Sequence, residues 1–201
     1  MRAVVIGNGE ITDYEAIKRR LRDDDTIICA DGGARHTKPL GTAADIIIGD
    51  LDSCDDTGNA RVIKYPTDKD FTDGELAVRY AADNGFDELM LLGMSGSRLD
   101  HTIADIFLLT LHDNAYFADD NNEIYLLRDS LTISGRRAMT LSVIPLCSEL
   151  KNVTSTGLKW RLDGDTLAFG STRGISNIVT DDVCRIEADG MGLVIISTER
   201  I

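Results

Sequence analysis

The sequence predicts an α/β domain followed by an all-β one, and three observations carry that expectation. Up to about residue 120, short β-branched runs alternate with helical patterns, the signature of βαβ units around a parallel sheet. Beyond that point helical periodicity disappears. Short apolar runs are instead punctuated by Gly135, Gly157, Gly164, Gly170, Gly174 and Gly190, at spacings that suit a small antiparallel β-sandwich. Finally, the polar clusters of the first part all fall just after the C-terminal ends of expected strands, the edge where open α/β sheets bind ligands. The reading is an α/β/α domain on a parallel sheet over residues 1–120 and a β-sandwich over 121–201.

Residues 3–6, Ala-Val-Val-Ile, read as a strand that ends in the loop Gly7-Asn8-Gly9. Thr12 and Glu15 have capping-box spacing and open a helix through about Arg22. A strand at 26–30 runs into Asp31-Gly32-Gly33, and the fully apolar Ile46-Ile47-Ile48 runs into Asp50 and Asp52. A fourth strand at 62–65 leads through Pro66 to a second acidic cluster. The helix that follows, from about Asp73 to Asn84, is stopped by Gly85, a residue suited to the left-handed position after a helix. A fifth strand at 88–92, the loop 93–100, a helix over 101–112 and a strand at 116–118 complete the first part. In the second, strands are expected at 124–127, 131–134, 140–145, 166–169, 183–186 and 193–197.

Eight carboxylates lie between Gly49 and Glu75, five of them in the clusters Gly49-Asp50-Leu51-Asp52-Ser53 and Asp70-Phe71-Thr72-Asp73-Gly74-Glu75. Carboxylates at loop positions can hold a divalent metal against phosphate, because Mg²⁺ takes oxygen ligands and usually one or two carboxylates plus the substrate's own phosphates. The pair Asp50 and Asp52 also suits a turn. Thr72 and Glu75 also form a capping box, with Asp73 meeting the helix dipole. Those local roles leave Lys69 and Asp70 unexplained, whereas Asp55, Asp56 and Glu75 are adequately read as turn, solvent-facing or cap residues. Asp31-Gly32-Gly33 makes a turn or, as in dinucleotide folds, meets a nucleotide's hydroxyls. In the loop from Gly93 to His101, small residues let backbone amides approach an anion, and Arg98 adds a fork that suits phosphate oxygens. Asp100 there could equally be a helix N-cap, and His101 is given no role. Neither a Walker A sequence nor a Gly-x-Gly-x-x-Gly fingerprint follows the first strand, so phosphate binding must rely on dispersed loops.

Charge agrees with that reading. With 21 Lys and Arg against 34 Asp and Glu, the formal charge of −13 argues against nucleic acid, which is bound by basic side chains. No run approaches the roughly 20 apolar residues of a membrane span, and the first apolar run is too short for a signal-peptide core. A cytoplasmic location follows, with Cys29, Cys54, Cys147 and Cys184 as thiols, since their spacing fits neither zinc nor redox motifs.

Taken together and in order, Asp31-Gly32-Gly33-Ala34, Gly49-Asp50-Leu51-Asp52-Ser53, Asp68-Lys69-Asp70-Phe71-Thr72-Asp73 and the loop from Gly93 to His101 resemble the thiamine pyrophosphokinases. Gly157-Leu158-Lys159-Trp160, Leu167-Ala168-Phe169-Gly170 and Ser176-Asn177 resemble that family's C-terminal signature. The resemblance implies an α/β ATP-binding catalytic domain followed by a thiamine-binding sandwich. It implies transfer of a pyrophosphoryl group from ATP to thiamine, giving thiamine diphosphate and AMP. By the same resemblance Asp50, Asp52 and Asp73 hold Mg²⁺. Asp31, Gly32, Gly33, Lys69, Asp70 and Thr72 line the nucleotide and phosphate path. Arg98 braces the transferring group, Asp100 lies close to thiamine and orients or deprotonates its hydroxyl, and Ser176 and Asn177 position the pyrimidine. A homodimer with active sites at the subunit interface is also implied. The chain departs from the family pattern at Ser97, commonly glycine, and at Gly190-Met191-Gly192-Leu193, which lacks an aromatic. Two other readings are carried forward. One is a phosphatase of the haloacid-dehalogenase type, which Asp50-Leu51-Asp52 loosely resembles. The other is a non-enzymatic metal- or ligand-binding module whose acidic loops are solvated or Ca²⁺-binding turns.

Overall fold

The computed structural model describes residues 1–52 and 57–200, the last three through their backbone alone. Ser53, Cys54, Asp55 and Asp56, with the thiol and turn residues expected there, lie outside the described residues. The chain divides into two compact units, Met1–Asp120 and Asn121–Ile201.

In the first unit, strands β1 (Arg2–Ile6), β2 (Thr26–Ala30), β3 (Ile46–Gly49), β4 (Arg61–Lys64), β5 (Glu88–Leu92) and β6 (Ala115–Ala118) pair in parallel in the order β6-β5-β1-β2-β3-β4. Every residue of β1 and β3 is buried, which explains the unbroken apolar runs at 3–6 and 46–48: a parallel sheet is covered on both faces and does not alternate. Because β1 pairs with β2 on one side and β5 on the other, strand order reverses there. Loops leaving the two sides of such a switch point diverge into a crevice.

The helices follow their capping chemistry more than their expected lengths. Helix α1 (Tyr14–Lys18) is capped by Asp13, whose carboxylate accepts from the Ala16 amide, and not by Thr12. Thr12 is diverted: its amide and hydroxyl both donate to Asp120. The helix also stops short of Arg22, whose amide donates to Asp25 at 2.7 Å. A 3-10 segment, Asp31–His36, runs into α2 (Thr37–Leu40), closed by Gly41. Pieces this short carry no apolar period to be read. Helix α3 (Asp73–Asp83) has the expected cap, Thr72 Oγ1 accepting from the Glu75 amide at 3.1 Å. The Glu75 carboxylate turns to Arg79, so the capping box is only half made. Helix α4 (Leu99–Phe107) begins two residues earlier than expected and passes into a 3-10 turn at Leu108–Leu111. Its cap position is Arg98, so Asp100 is not the N-cap.

The second unit contains no helix among the described residues and is built on two long strands. The stretches expected as two strands each are continuous: β7 (Asn122–Ser134) and β12 (Val183–Arg200) pair antiparallel from Val183↔Ser134 to Ser197↔Asn122. A bulge between Glu187 and Met191 faces Asp129, which sits at φ 54, so the ribbon bends where a break is expected. On one side of the bend β12 pairs β9 (Glu149–Thr156), and on the other β8 (Met139–Pro145). Strand β10 (Asp163–Ala168) extends from β9, and the two-residue β11 (Asn177–Ile178) from β8. The core inside holds Leu127, Leu141, Val143, Leu150, Val153 and Ile196 among others. Cys29, Cys147 and Cys184 form no disulfide, and among the described residues no helix is long and apolar enough to cross a membrane.

One buried ion pair anchors the central strand. Arg2 donates to both carboxylate oxygens of Asp25 (2.8 and 2.6 Å), to Arg20 O and to Tyr116 Oη, and the two paired side chains are only 4% and 1% exposed. Removing one partner of such a pair leaves an uncompensated buried charge, at a cost of about 3–5 kcal/mol. Arg2→Met should therefore lose that much in urea unfolding, and adding Asp25→Leu should recover most of it. A loss below about 1 kcal/mol, the range of an exposed pair, would contradict the anchoring role.

Candidate active site

Three carboxylates from three elements meet at the C-terminal edge of the parallel sheet. Asp31 starts the 3-10 segment after β2, Asp50 follows β3, and Asp73 opens α3. One oxygen from each lies within 4.8 Å of the others. Gly49 makes this crowding possible, since a Cβ there would stand 2.8 Å from Asp31 Cβ and 3.1 Å from Asp73 Oδ1. Asp31 is held at φ 43, a conformation L-residues avoid, and its Oδ1 is buried without a hydrogen-bond partner among the described residues.

Lys69 is the cation that answers this cluster, 3.0 Å from Asp73 Oδ1 and 3.8 Å from Asp50 Oδ2. Burial alone would lower its pKa, but the hydrogen bond to Asp73 and the charges of Asp73, Asp50 and Asp31 leave it above its ordinary value. Burial pushes Asp73 up despite Lys69, and the neighbouring carboxylates add to that. Asp50 is held below the usual range, chiefly by the Asp52 amide, which donates at 3.3 Å. One carboxyl raised and one lowered, with an unsatisfied buried oxygen between them, is a donor set that fits a hard divalent cation.

Beside the cluster the loops after β1 and β5 are laced together. Gly7, Gly9 and Glu10 donate their amides to Leu92 O, Gly93 O and Ser95 O at 2.6–2.8 Å. Gly9 is required at this approach: a Cβ would come within 2.3 Å of Ser95 O. The loops wall a cavity of about 610 Å³ that reaches Asp31, Thr72, Asp73, Arg98 and Asp105. Arg98 donates from Nε and Nη2 to the two oxygens of Asp100 (2.9 and 2.6 Å), both side chains being exposed. That fork holds the Asp100 carboxyl well below the usual carboxylate range.

The structure thus brings Asp50, Asp73, Lys69, Thr72 and Arg98 together with Asp31. Gly32 and Gly33 are buried behind Asp31, with Gly32 against the Asn8 side chain. Asp52 is exposed and outside the three-carboxylate group, and Asp70 is exposed and does not line the cavity. In the second unit Ser176 is exposed, its amide donating to Ser142 Oγ. Asn177 is buried, its Oδ1 accepting from the Trp160 and Ile178 amides and its Nδ2 donating to Trp160 O at 2.6 Å. Three residues around the cavity had no motif to flag them: Arg35, His36 and Asp105. Burial pushes Asp105 up to about 6, against the pull of His101 one turn earlier. The His101 to Asp105 spacing on one helix face was the available signal.

Comparison with known proteins places this arrangement. Residues 17–118 match the family model described as thiamin pyrophosphokinase, catalytic domain, and residues 130–191 match thiamin pyrophosphokinase, vitamin B1 binding domain. Thiamine pyrophosphokinase 1 of Oryza sativa subsp. japonica is 28% identical over 93% of this chain and 83% of its own length. Thiamine pyrophosphokinase of Bacillus subtilis is 29% identical over 64% of this chain and 66% of its own. The crystal structure of a Bacillus subtilis thiamine pyrophosphokinase superposes with a TM-score of 0.87 at 22% identity, covering 99% of this chain and all of that one, a likeness of fold. One model falls within the parallel-sheet unit that carries the carboxylate cluster and the other within the all-β unit, so the chain belongs to the thiamin pyrophosphokinase family and is an enzyme of thiamine diphosphate formation.

Proposed function

We propose that the cavity at the switch point binds ATP with Mg²⁺, and that the pyrophosphoryl group passes to the hydroxyethyl group of thiamine, leaving AMP. The observation that carries this reading is the convergence of Asp31, Asp50 and Asp73 beside a cavity walled by glycine-rich loops. Asp31, Asp50 and Asp73 would hold the ion, with Asp52 acting through its amide on Asp50. Mg²⁺ there would supply charge neutralisation on the phosphate oxygens.

The chain's own residues do the rest by positioning and charge, which is most of what such transfers need. Lys69 ties Asp73 to Asp50 and keeps both ionised carboxyls beside the phosphates. Thr72 fixes the start of α3, whose free amides and dipole favour an anion. Arg98 braces the moving group, and Asp100 pins its guanidinium from behind. Both Asp100 oxygens accept from Arg98, so Asp100 serves to orient Arg98 and the thiamine hydroxyl. On the all-β unit, exposed Ser176 contacts thiamine, while Asn177 shapes that site by fixing the backbone of Trp160.

A homodimer is part of this proposal, supported by helix α4. None of its residues is buried, and Leu99, Ile103 and Phe107, spaced to share one face, are 67%, 44% and 46% exposed. Light scattering at micromolar concentration should return twice the mass of 21.9 kDa; a monomer would sink this part.

Incubation with Mg²⁺, ATP and thiamine should yield equimolar AMP and thiamine diphosphate. ADP with thiamine monophosphate would contradict the reaction, and inorganic phosphate without AMP would favour a phosphatase. Asp73→Asn should raise the Mg²⁺ concentration needed for half-maximal rate by roughly tenfold or more, on the scale of a lost charged contact, whereas Asp100→Asn should leave it unchanged. An unaltered Mg²⁺ requirement in the Asp73 variant would remove Asp73 from the metal set.

A further inference from the structure

The cavity must receive a polyanion, yet its cations are mostly committed. Lys69, at the carboxylate cluster beside it and not in its lining, is shared between Asp73 and Asp50, and Arg98, in the lining, is forked onto Asp100. Glu10, Asp31, Asp73 and Asp105 line the same cavity and add negative charge.

Arg35 differs from the other two. It is exposed, lines the cavity, and has no carboxylate partner among the described residues. Its guanidinium is fixed by neutral groups instead: Nη2 donates to Asn8 O at 3.0 Å and to Gly9 O at 2.8 Å, and Nε lies 3.3 Å from His36 Nε2. Nη1 has no hydrogen bond among the described residues. His36 is buried behind it, with Nε2 3.0 Å from Gly9 O and Nδ1 2.8 Å from Tyr14 Oη. Burial and the adjoining Arg35 charge push that histidine down, so the group backing Arg35 is neutral at ordinary pH. An arginine oriented by carbonyls keeps its full charge, whereas one paired to a carboxylate, as Arg98 is, has part of its charge offset and two of its donors engaged.

We propose that Arg35 is a phosphate-contacting cation of the nucleotide subsite in addition to Arg98, presented at the β1 loop by the carbonyls of Asn8 and Gly9. The proposal rests on the reading of the cavity as the ATP site. It gives the Gly7-Asn8-Gly9 loop a purpose beyond closing a turn, since the two carbonyls aim an arginine and the arginine screens their dipoles from the phosphates.

Calorimetry with ATP and with adenosine, each in Mg²⁺, separates this role from a merely structural one. In Arg35→Gln, ATP affinity should fall roughly 10- to 100-fold while adenosine affinity stays at the wild-type value. Arg35→Lys, which keeps the charge, should recover part of the ATP loss. Equal losses for ATP and adenosine, or no loss for ATP, would overturn the assignment of Arg35 and leave the ATP reading standing. A wild-type protein that binds neither ligand would overturn the ATP reading itself.

Discussion

Holding three carboxylates within 4.8 Å of one another is the constraint around which the first unit is arranged. Two like charges about 4 Å apart repel by roughly 4 kcal/mol at an effective dielectric of 20, and one lysine offsets only part of that. The remainder is met by geometry that leaves the side chains nowhere else to go. Strands β2 and β3 are neighbours, so Asp31 and Asp50 leave the sheet side by side. Helix α3 packs on β1, β2 and β3 and delivers Asp73 at its first turn. Gly49 vacates the space between them, and Asp31 accepts a left-handed backbone to point inward. A site so loaded with negative charge is stable only as part of a larger electrostatic set, and that is the sense in which it calls for a cation.

Much of this was legible in the sequence because the signals were local. The apolar runs at β1, β2, β3 and β5 identify themselves without any knowledge of their partners, and Thr72 with Gly85 brackets α3 by chemistry confined to a few residues. The positions of Asp50, Asp73 and Arg98 after strand ends then follow from the general placement of ligands in open sheets. What could not be read depends on distant partners. Thr12 has a capping sequence, but Asp120 competes for its hydroxyl from across the unit. The sequence resemblance assigns Asp52 to the metal and Asp31 to the nucleotide path, and only the adjacency of β2 and β3 brings Asp31 into the carboxylate cluster. Arg35 has no motif because its role is set by the carbonyls of another loop.

The all-β unit shows the same division. Glycine spacing announces turns, yet Gly190 lies inside β12, where its freedom produces a bulge and not an end. A strand that bends reads as two strands, because periodicity is lost locally while pairing continues. Strand β9 is not legible by period: Lys151 and Asn152 are consecutive exposed residues, Asn152 at φ 51, so buried Leu150 and Val153 fall three apart and the two-residue alternation is broken. Asn177 is the instructive residue. Its sequence context suggests contact with a ligand, and in the structure its side chain also holds the backbone of Trp160, a tie between two distant stretches that no local signal announces.

The pairing of β1 also has a kinetic side. Ala3 meets Thr26 in β2 after a short excursion of chain, whereas Arg2 meets Glu88 in β5 only after most of the unit has been made. The first contact closes a small loop and the second a large one, and the entropy of closure rises with length. The crevice between the β1 and β5 loops therefore belongs to the long-range half of the topology and comes into being only when that half is closed. A nucleotide bound there, as proposed, would bridge two loops that meet across a long stretch of chain, so its binding energy would act as a staple on the folded state and shift the unfolding equilibrium of the parallel sheet by mass action.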